Sequence, residues 1–435
     1  MNHLSVRITV ESPLAIRSDH APRGAAGSRY IPGTSFLGGL ASLYRLLYQD
    51  APEMDAFTTL FLSEQILYPN LYPALFSDEG VQGQNTTPVS PLPETTQNCK
   101  RHTGFRFPDD GKNDGHGVRD TLIDWALFKL ANLGKIDFKQ KPQSTTQHLD
   151  ILRRSKDCRV CKEPMDHCDA GYYRRSKVKP YPMSAAKTES RLQTHTGIDR
   201  KSGTVQESIL YNRQVFAEGM QFWGEILVPD DRQLLEALTA FLDKIGSQGL
   251  LRLGTGRTRG MGKVTLAIEQ SDEEDRFTAF RQRLHDLNKK FHERAQQFKL
   301  ELPSDEYFFA LTLHSPLILH DDLLRYQGTI DADILAHILK EQFDVSVPEL
   351  KDIYSAASVQ RLTGWQEMWG TPRTSEYAIE SGSVFLFSSS EQPEAELLNA
   401  LFTLEEQGLG KRRAEGFGRV CVSDQFHQQV EQEAE

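Results

Sequence analysis

The sequence predicts an α+β fold built from two related domains, with approximate bounds at residues 1–270 and 305–424. A strand-like run that ends in Ser-Pro-Leu lies near the start of each segment, and a loop rich in glycine and arginine lies near the end of each. Runs with helical periodicity separate the two motifs. Because the motifs recur in the same order, the chain is expected to contain an internal duplication.

The composition is that of a globular protein with an uneven charge distribution. The chain has 435 residues, enough for two or more domains, and a net charge of −10. It contains no apolar run long enough to span a bilayer and no secretory signal, so we expect a cytoplasmic protein without a membrane partner. Lys and Arg outnumber Asp and Glu two to one over residues 151–213. Basic segments on an acidic chain suit a protein that holds a polyanion in one groove.

The first predicted element is a strand over residues 6–10, which alternates in hydrophobicity and ends at Ser12-Pro13-Leu14. The second copy begins in the same way, with a strand over residues 308–313 followed by Ser315-Pro316-Leu317. The first copy has many more residues before its glycine loop. We therefore expect a large insertion in the first domain, at about residues 77–215.

A loop with three arginines follows the first strand and leads into a predicted helix, in which leucines recur at helical spacing after Pro32. The N-terminus of a helix offers free amides and a positive dipole end to a phosphate. The alternative is a capped helix that serves only the hydrophobic core. The candidate polyanion contacts in this stretch are Arg17, Arg23, Arg29, Gly33, Thr34 and Ser35.

Four of the five cysteines lie in the predicted insertion. A CxxC pair lets two thiolates reach one ion from a tight turn, and clustered cysteines in a cytosolic chain favour zinc over disulfides. Thiols that bind no metal are the alternative. The predicted structural zinc site consists of Cys99, Cys158, Cys161 and Cys168, with His102 or His167 as substitute ligands.

Two strand-like runs near the end of the insertion flank a polar, basic tip and predict a long, protruding β-hairpin. His195, Arg200 and Lys201 are candidate phosphate contacts on this hairpin. His195 is also considered as a general base, but no carboxylate or nucleophile stands near it in the sequence.

The glycine loop of the first copy, residues 251–264, alternates glycines with basic residues and contains no acid. Glycine adopts backbone angles that exclude other residues, and arginine offers a planar donor fork to phosphate oxygens. A strand-like run follows the loop, which excludes a dinucleotide-binding fingerprint, and Val264 follows Gly262-Lys263 where a Walker loop needs Ser or Thr. The alternative is a simple turn before an edge strand. The candidate polyanion contacts are Arg252, Gly254, Gly256, Arg257, Arg259, Gly260 and Lys263.

An apolar stripe at helical spacing predicts a linker helix within residues 271–304. In the second copy, Trp365 and Arg373 flank a loop and are candidates for stacking on a nucleobase, although tryptophan more often closes a core. Arg412 and Arg413 of the second glycine loop are further candidate contacts. Residues 425–435 are expected to form an acidic tail.

Together these motifs resemble the RAMP superfamily of CRISPR-associated proteins. The matching parts are the Ser-Pro-Leu strand, the helix start at residues 31–35, the hairpin around residues 197–200 and the glycine loop. The second copy resembles two-domain subunits of type III effectors, and the cysteine-containing insertion resembles the type III-D subunit of the five-prime-handle (group five) class. The resemblance implies two ferredoxin-like domains, the first with a zinc-binding insertion and a protruding hairpin.

The same resemblance implies a non-catalytic subunit that binds crRNA at its five-prime handle. It would dock on the large polymerase-like subunit and on a backbone RAMP subunit, with target RNA as a further partner. Two other interpretations remain open. One is an endoribonuclease that cuts target RNA or precursor crRNA through Asp19 and His20. The other is a zinc-stabilised protein-interaction module that does not contact RNA.

Overall fold

The structure, a computed structural model, is a mixed α/β arrangement built on antiparallel sheets, as the predicted α+β class requires. It describes residues 1–16, 28–48, 54–74, 89–105, 115–132, 137–138, 157–168, 171–175, 183–186, 188–198, 205–270, 276–303, 306–347, 350–366, 370–390 and 395–428. Six residues singled out above lie outside this part of the chain: Arg17, Asp19, His20, Arg23, Arg200 and Lys201.

The first part of the chain contains one main sheet, an insertion and the predicted hairpin. Its elements are β1 (Asn2–Val10), α1 (Gly33–Leu47), α2 (Met54–Phe61), β2 (Tyr72–Ala74), β3 (Val89–Pro91), β4 (Thr96–Cys99), β5 (Val118–Asp120), α3 (Leu122–Asn132), β6 (Asp137–Phe138), β7 (Met165–His167), β8 (Tyr172–Arg175), β9 (Met183–Ala186), β10 (Ser190–Ile198), β11 (Val205–Phe216), β12 (Gln221–Val228), α4 (Arg232–Ser247) and β13 (Val264–Gln270).

The second part begins with the linker helix and contains the second main sheet. Its elements are α5 (Arg276–Gln297), β14 (Leu300–Glu301), β15 (Tyr307–Leu313), α6 (Ala332–Phe343), β16 (Leu350–Ala356), β17 (Val359–Leu362), β18 (Trp365–Gln366), β19 (Thr371–Pro372), β20 (Glu376–Ile379), β21 (Val384–Ser389), α7 (Ala395–Gln407) and β22 (Val420–Val422). Among the described helices, none is long and apolar enough to cross a lipid bilayer.

The two main sheets have the same topology. The first has the order β13-β1-β12-β2 and the second the order β16-β21-β15-β22, read from opposite edges. In both, the first strand in the chain lies between the last strand and the third, and every pairing is antiparallel. Helices α1 and α4 connect the strands of the first sheet, and α6 and α7 connect those of the second.

The sheets differ in how their faces are covered. On one face of the second sheet Phe309 and Phe385 pack in the core that includes α6 and α7. On its other face Phe308 and Leu386 pack against α5 and α3, so helices cover both faces. The first sheet buries one face against α1 and α4. Several side chains on its other face remain partly or fully exposed, among them Arg7, Thr9, Thr265 and Ala267, whereas His3 and Leu227 on the same face are buried.

The insertion is tied to the second sheet by buried polar contacts. Arg294 of α5 donates two hydrogen bonds to the Asp124 carboxylate of α3, at 2.6 and 2.7 Å. The imidazole of His427 lies between Asp120 Oδ2 and the Thr312 hydroxyl, both at 2.8 Å. Residues 425–428, expected to begin an acidic tail, therefore form a packed helical turn.

The predicted hairpin forms from β10 and β11, which pair from Ser190↔Phe216 at the base to Ile198↔Val205. Its base joins the first sheet region, because Leu14 bridges Phe216. The hairpin and the first glycine loop therefore approach the same short segment, residues 14–16, from two sides.

Candidate nucleic-acid interface and metal centre

The first glycine loop is held by backbone hydrogen bonds to the Ser-Pro-Leu segment. Gly262 donates to the Pro13 carbonyl at 3.0 Å, and Thr255 donates to the Ala15 carbonyl at 2.9 Å. Within the loop, the Leu253 amide donates to the Gly262 carbonyl at 2.9 Å. The two sequence motifs recur together because each one provides the hydrogen-bond partners of the other.

The glycines of this loop are required by its backbone. Gly254, Gly256, Gly260 and Gly262 all have φ between 69° and 80°, the left-handed region that strongly favours glycine. A Cβ at Gly262 would lie 2.1 Å from the Leu253 carbonyl oxygen. At Gly260 the space is open, so only the backbone angle favours glycine there.

The tip of the loop is an exposed helical turn, Arg257–Arg259, bounded by left-handed glycines. Arg257 donates from Nε to the Gly254 carbonyl at 3.2 Å, a bond that does not use its two terminal amino groups. Within the described part of the chain, no carboxylate forms an ion pair with Arg257. Exposed guanidinium groups beside a glycine-rich backbone can accept a phosphate.

Two other basic residues of the loop form contacts at its edge. Lys263 forms an ion pair with Glu11 at 2.6 Å, and Arg252 donates to the carbonyls of Gly249 and Leu251 at 3.1 Å. Both predicted contacts are therefore engaged at the edge of the loop. The charge that faces solvent is concentrated at the turn.

Arg213 of β11 joins this surface, although the sequence did not single it out. Its Nη1 lies 3.7 Å from Met261 Sδ, and a Cβ at Gly256 would lie 3.0 Å from it. Val215, two residues later on the same strand face, packs with Met261. Arg213 and Val215 are two residues apart on a strand and therefore share a face. This spacing is the sequence signal that could have identified Arg213.

Two further described candidates come from other segments of the first half. Arg29 is exposed and follows Ser28, whose amide donates to the Ile16 carbonyl at 3.1 Å. His195 is partly buried and pairs with Tyr211 in the hairpin ladder. We call the surface formed by Arg213, Arg257 and Arg259 the basic surface, whereas Arg29 lies beside Gly171, where a Cβ would be 3.7 Å from its Nη1.

The second glycine loop repeats the anchoring of the first. Gly418 donates to the Pro316 carbonyl at 2.8 Å and Lys411 donates to the Ile318 carbonyl at 3.0 Å. Arg412 occupies the position of Gly256 and has a left-handed φ of 59°. Two carboxylates hold its side chain: Glu415 accepts at 3.0 and 2.8 Å, and Glu376 also accepts.

This second loop packs against the first half of the chain. Asn70 donates to the Gly416 carbonyl at 3.0 Å and accepts from the Gly33 amide at 2.8 Å. A Cβ at Gly33 would lie 2.4 Å from the Glu415 carbonyl oxygen. Gly33 and Arg412, both predicted as RNA contacts, are therefore used internally. Thr34 and Ser35 stay partly exposed in the first turn of α1.

Two further candidates of the second half lie beside these carboxylates. Arg373 forms an ion pair with Glu415 at 3.2 Å, and Arg413 is partly exposed and donates to the Gln407 carbonyl at 3.4 Å. Burial raises the pKa of Glu415, but Arg412 and Arg373 lower it overall. Trp365 lies in β18 opposite Pro372, and its side chain is outside the described part of the structure.

The insertion brings three cysteines and one histidine together. The ligand atoms of Cys99, His116, Cys158 and Cys161 all lie within 4.8 Å of one another. Cys99 Sγ is 3.5 Å from Cys161 Sγ, and Cys158 Sγ is 3.4 Å from His116 Nδ1. In a tetrahedral zinc site with bonds of about 2.0–2.3 Å, ligand atoms are separated by about 3.4–3.8 Å. The donor set and its spacing therefore fit zinc.

The local backbone favours this arrangement. The Cys158–Cys161 turn closes through a Lys162 to Cys158 hydrogen bond of 2.9 Å, with Lys162 at a left-handed φ of 61°. The His102 amide donates to Cys99 Sγ at 3.4 Å. Burial raises the pKa of the Cys158 thiol, but amides of Cys161 and Val160 lower it overall.

The ligand set differs from the predicted one, because His116 takes the place of Cys168. In the pairing of β4 with β7, Cys99 lies opposite Met165, so the antiparallel direction carries Cys168 away from the cluster. Cys168 is buried in a small apolar cluster and accepts from Asn98 at 3.3 Å. His102 stacks on the His116 ring, with centroids 4.1 Å apart, and His167 lies near Glu94.

Comparison with known proteins gives one family match. The model of the RAMP superfamily matches residues 7–265, and no curated protein matches the sequence. The chain is similar to one in the cryo-EM structure of the type III-B Cmr-beta bound to cognate target RNA and AMPPnP, at 14% identity and a TM-score of 0.35, covering 88% of this chain and 86% of that one. It is also similar to one in the crystal structure of the Csm3-Csm4 subcomplex in the type III-A CRISPR-Cas interference complex, at 14% identity and a TM-score of 0.30, covering 91% and 98%.

Proposed function

The chain belongs to the RAMP superfamily, and from this premise we propose that it is a non-catalytic crRNA-binding subunit of a type III CRISPR effector complex. The basic surface is the RNA contact. The single observation that carries the proposal is the exposed Arg257–Arg259 turn, bounded by left-handed glycines and free of neighbouring acid in the loop itself. Such a turn presents guanidinium groups and backbone amides to the same phosphate.

The fold supports RNA binding by the first half of the chain. Both main sheets have the strand order of a ferredoxin-like (split β-α-β) domain, which we propose for each half. A sheet of this kind can bind RNA on an open face that carries stacking aromatics. Helices cover both faces of the second sheet. RNA is therefore expected along the first half, where the basic surface lies.

The partners follow from the resemblance in the second copy and the insertion. We propose that the chain binds the five-prime handle of crRNA in the manner of a group-five subunit of a III-D-like complex. The large polymerase-like subunit and a backbone RAMP subunit would be its neighbours in the cytoplasm, with target RNA approaching the assembled complex. The acidic remainder of the chain would provide these protein contacts.

We propose zinc as the ion of the Cys99 cluster. Cys99, Cys158, Cys161 and His116 would hold it in a closed tetrahedral site, which is the structural type. When bound, zinc would join the β4 strand to the Cys158–Cys161 turn and so order a part of the insertion that has little apolar core of its own. No catalytic role is assigned to it.

RNA binding by the full chain tests the proposal. A labelled single-stranded RNA that carries the repeat-derived crRNA handle is titrated with wild type and with an Arg257→Gln/Arg259→Gln variant. Binding should weaken about tenfold, and the slope of log affinity against log salt should become shallower by about 1.4, because two phosphate contacts are lost.

The matched control is Arg232→Gln/Lys340→Gln, which removes the same charge from two exposed helix positions. This variant should retain the wild-type slope. Equal effects of both variants would show that net charge alone attracts the RNA. Absence of any salt-dependent binding by wild type would favour the protein-interaction module instead.

The non-catalytic assignment has its own test. The full chain is incubated with precursor crRNA and with target RNA, beside an Asp19→Ala/His20→Ala variant. Intact RNA in every sample supports a binding subunit. Cleavage by wild type that disappears in the variant would establish the endoribonuclease interpretation.

A further inference from the structure

We propose that His314, Cys421 and Asp424 form a second zinc site, separate from the Cys99 cluster. One imidazole nitrogen, one thiol sulfur and one carboxylate oxygen lie within 4.8 Å of one another. His314 Nε2 is 2.7 Å from Asp424 Oδ2, a hydrogen-bond distance that has to lengthen to about 3.3 Å when both atoms bind one ion. The three residues come from the second half of the chain, and none of them belongs to the basic surface or to the cysteine cluster of the insertion.

Strand pairing creates the site. Cys421 of β22 lies opposite Thr312 of β15, and His314 is two residues beyond Thr312. Because side chains alternate along a strand, Cys421 and His314 are diagonal neighbours on one face of the sheet. Ser423 then has a left-handed φ of 51°, and the turn that it makes brings Asp424 back to this face.

Neighbouring groups fix the orientation of the ligands. Asp424 Oδ1 accepts from the Tyr173 hydroxyl at 3.0 Å and from the Phe426 amide at 2.8 Å. These bonds use one carboxylate oxygen and turn the other one towards His314. The Tyr72 hydroxyl donates to the His314 carbonyl. Ordered partners of this kind orient metal ligands in known sites.

The donor set selects the type of ion. Mixed nitrogen, sulfur and oxygen ligands suit zinc, whereas magnesium and calcium prefer oxygen alone. A thiolate and a carboxylate would balance the charge of a divalent ion. The nearby Arg283 guanidinium is bound by both Glu405 oxygens, at 2.5 and 2.7 Å, so its charge is compensated locally.

The site has three protein ligands and one open position. Asp424 is 4% exposed, whereas the His314 side chain is 25% exposed. The ion would therefore be reached from the His314 side, and a solvent oxygen would complete a tetrahedral site. The competing explanation is a His–Asp ion pair beside a thiol that binds no metal.

Metal counting distinguishes the two explanations. The full chain is stripped with a chelator, reloaded with zinc, desalted and analysed for zinc per chain. Wild type should bind two ions, and Cys421→Ala or Asp424→Asn should bind one. Asp424→Asn keeps an oxygen acceptor for Tyr173 and Phe426, so it preserves the local hydrogen bonds. A Cys158→Ala/Cys161→Ala variant should also bind one ion, through the second site.

Cobalt absorption tests the second site without the Cys158→Ala/Cys161→Ala variant, so the folding of that variant does not affect the result. With two equivalents of cobalt, the thiolate-to-cobalt absorption of wild type should fall by about a quarter in Cys421→Ala, because one of four coordinating thiolates is lost. Two observations would overturn the proposal: a wild-type chain with one zinc that is unchanged in Cys421→Ala, or a Cys421→Ala variant that keeps two ions.

Discussion

The two glycine loops share their backbone but differ in what lies against them. Both are hydrogen-bonded to a Ser-Pro-Leu segment, and both contain a helical turn closed by a left-handed glycine. The turn of the first loop is exposed. The turn of the second is covered by Asn70 and Gly33 of the first half, and Arg412 is bound to two carboxylates. The turn of one loop is exposed to solvent, and the other loop joins the halves.

The difference shows that a repeated motif does not guarantee a repeated function. The Ser-Pro-Leu segment and the glycines preserve a loop conformation in both copies. The acids Glu376 and Glu415 convert the second copy into an internal contact, because a half-buried guanidinium paired with carboxylates is no longer available to a phosphate. The side chains around a loop decide whether its charge reaches solvent.

The largest effect is expected from glycine substitutions at equivalent positions. Gly416→Ala should lower the free energy of unfolding by about 3 kcal/mol, because its Cβ would lie 2.8 Å from Asn70 Oδ1 and φ is 90°. Gly260→Ala meets open space and should cost about 1 kcal/mol through backbone strain alone. Urea unfolding measures both. Equal costs would show that the second loop is not wedged between the halves.

Arginine substitutions in the two loops should differ less in their effect on the free energy of unfolding. Arg412→Gln should destabilise the protein by about 2 kcal/mol, since it removes the cation that Glu376 and Glu415 share and leaves Glu415 with Arg373 alone. Arg257→Gln should change stability by less than about 0.5 kcal/mol, because the residue is exposed. The measurement is again urea unfolding. A stable Arg412→Gln variant would contradict the internal role of the second loop.

The smallest expected effect is a change of the unfolding free energy with pH, caused by a histidine between the halves. His3 contacts Glu225 at 3.2 Å and Glu406 at 2.8 Å. Burial lowers the pKa of His3, but the two carboxylates raise it overall above 6.5. Its contribution to stability is therefore complete below about pH 6.5 and is lost as pH rises through the folded-state pKa.

We expect unfolding free energies of wild type to fall by about 1 kcal/mol more than those of His3→Gln between pH 6 and pH 8.5. The lowered pKa values of Glu225 and Glu406 act only at the acidic limit, where stability is lost as those groups are protonated. Parallel pH profiles of wild type and His3→Gln in the range above pH 6 would show that protonation of His3 does not stabilise the protein.

Local patterns predicted the repeating elements but not the contacts between distant segments. Strand alternation, helical spacing and left-handed glycines identified the main strands, the hairpin and both loops. The place of His116 in the cysteine cluster depends on the pairing of β4, β5 and β7, which no local pattern encodes. The contact of Gly33 with the second glycine loop depends likewise on how the halves meet, and the pairing of Arg412 with Glu376 depends on the fold of the second half.

The central claim is that RNA contacts the first glycine loop and not the second. Ultraviolet cross-linking of the full chain to crRNA, followed by mass spectrometry of the peptides, tests it most directly. We predict RNA adducts on the peptide that contains residues 254–263 and none on the peptide that contains residues 412–418. Adducts on the second peptide in the absence of any on the first would contradict the account.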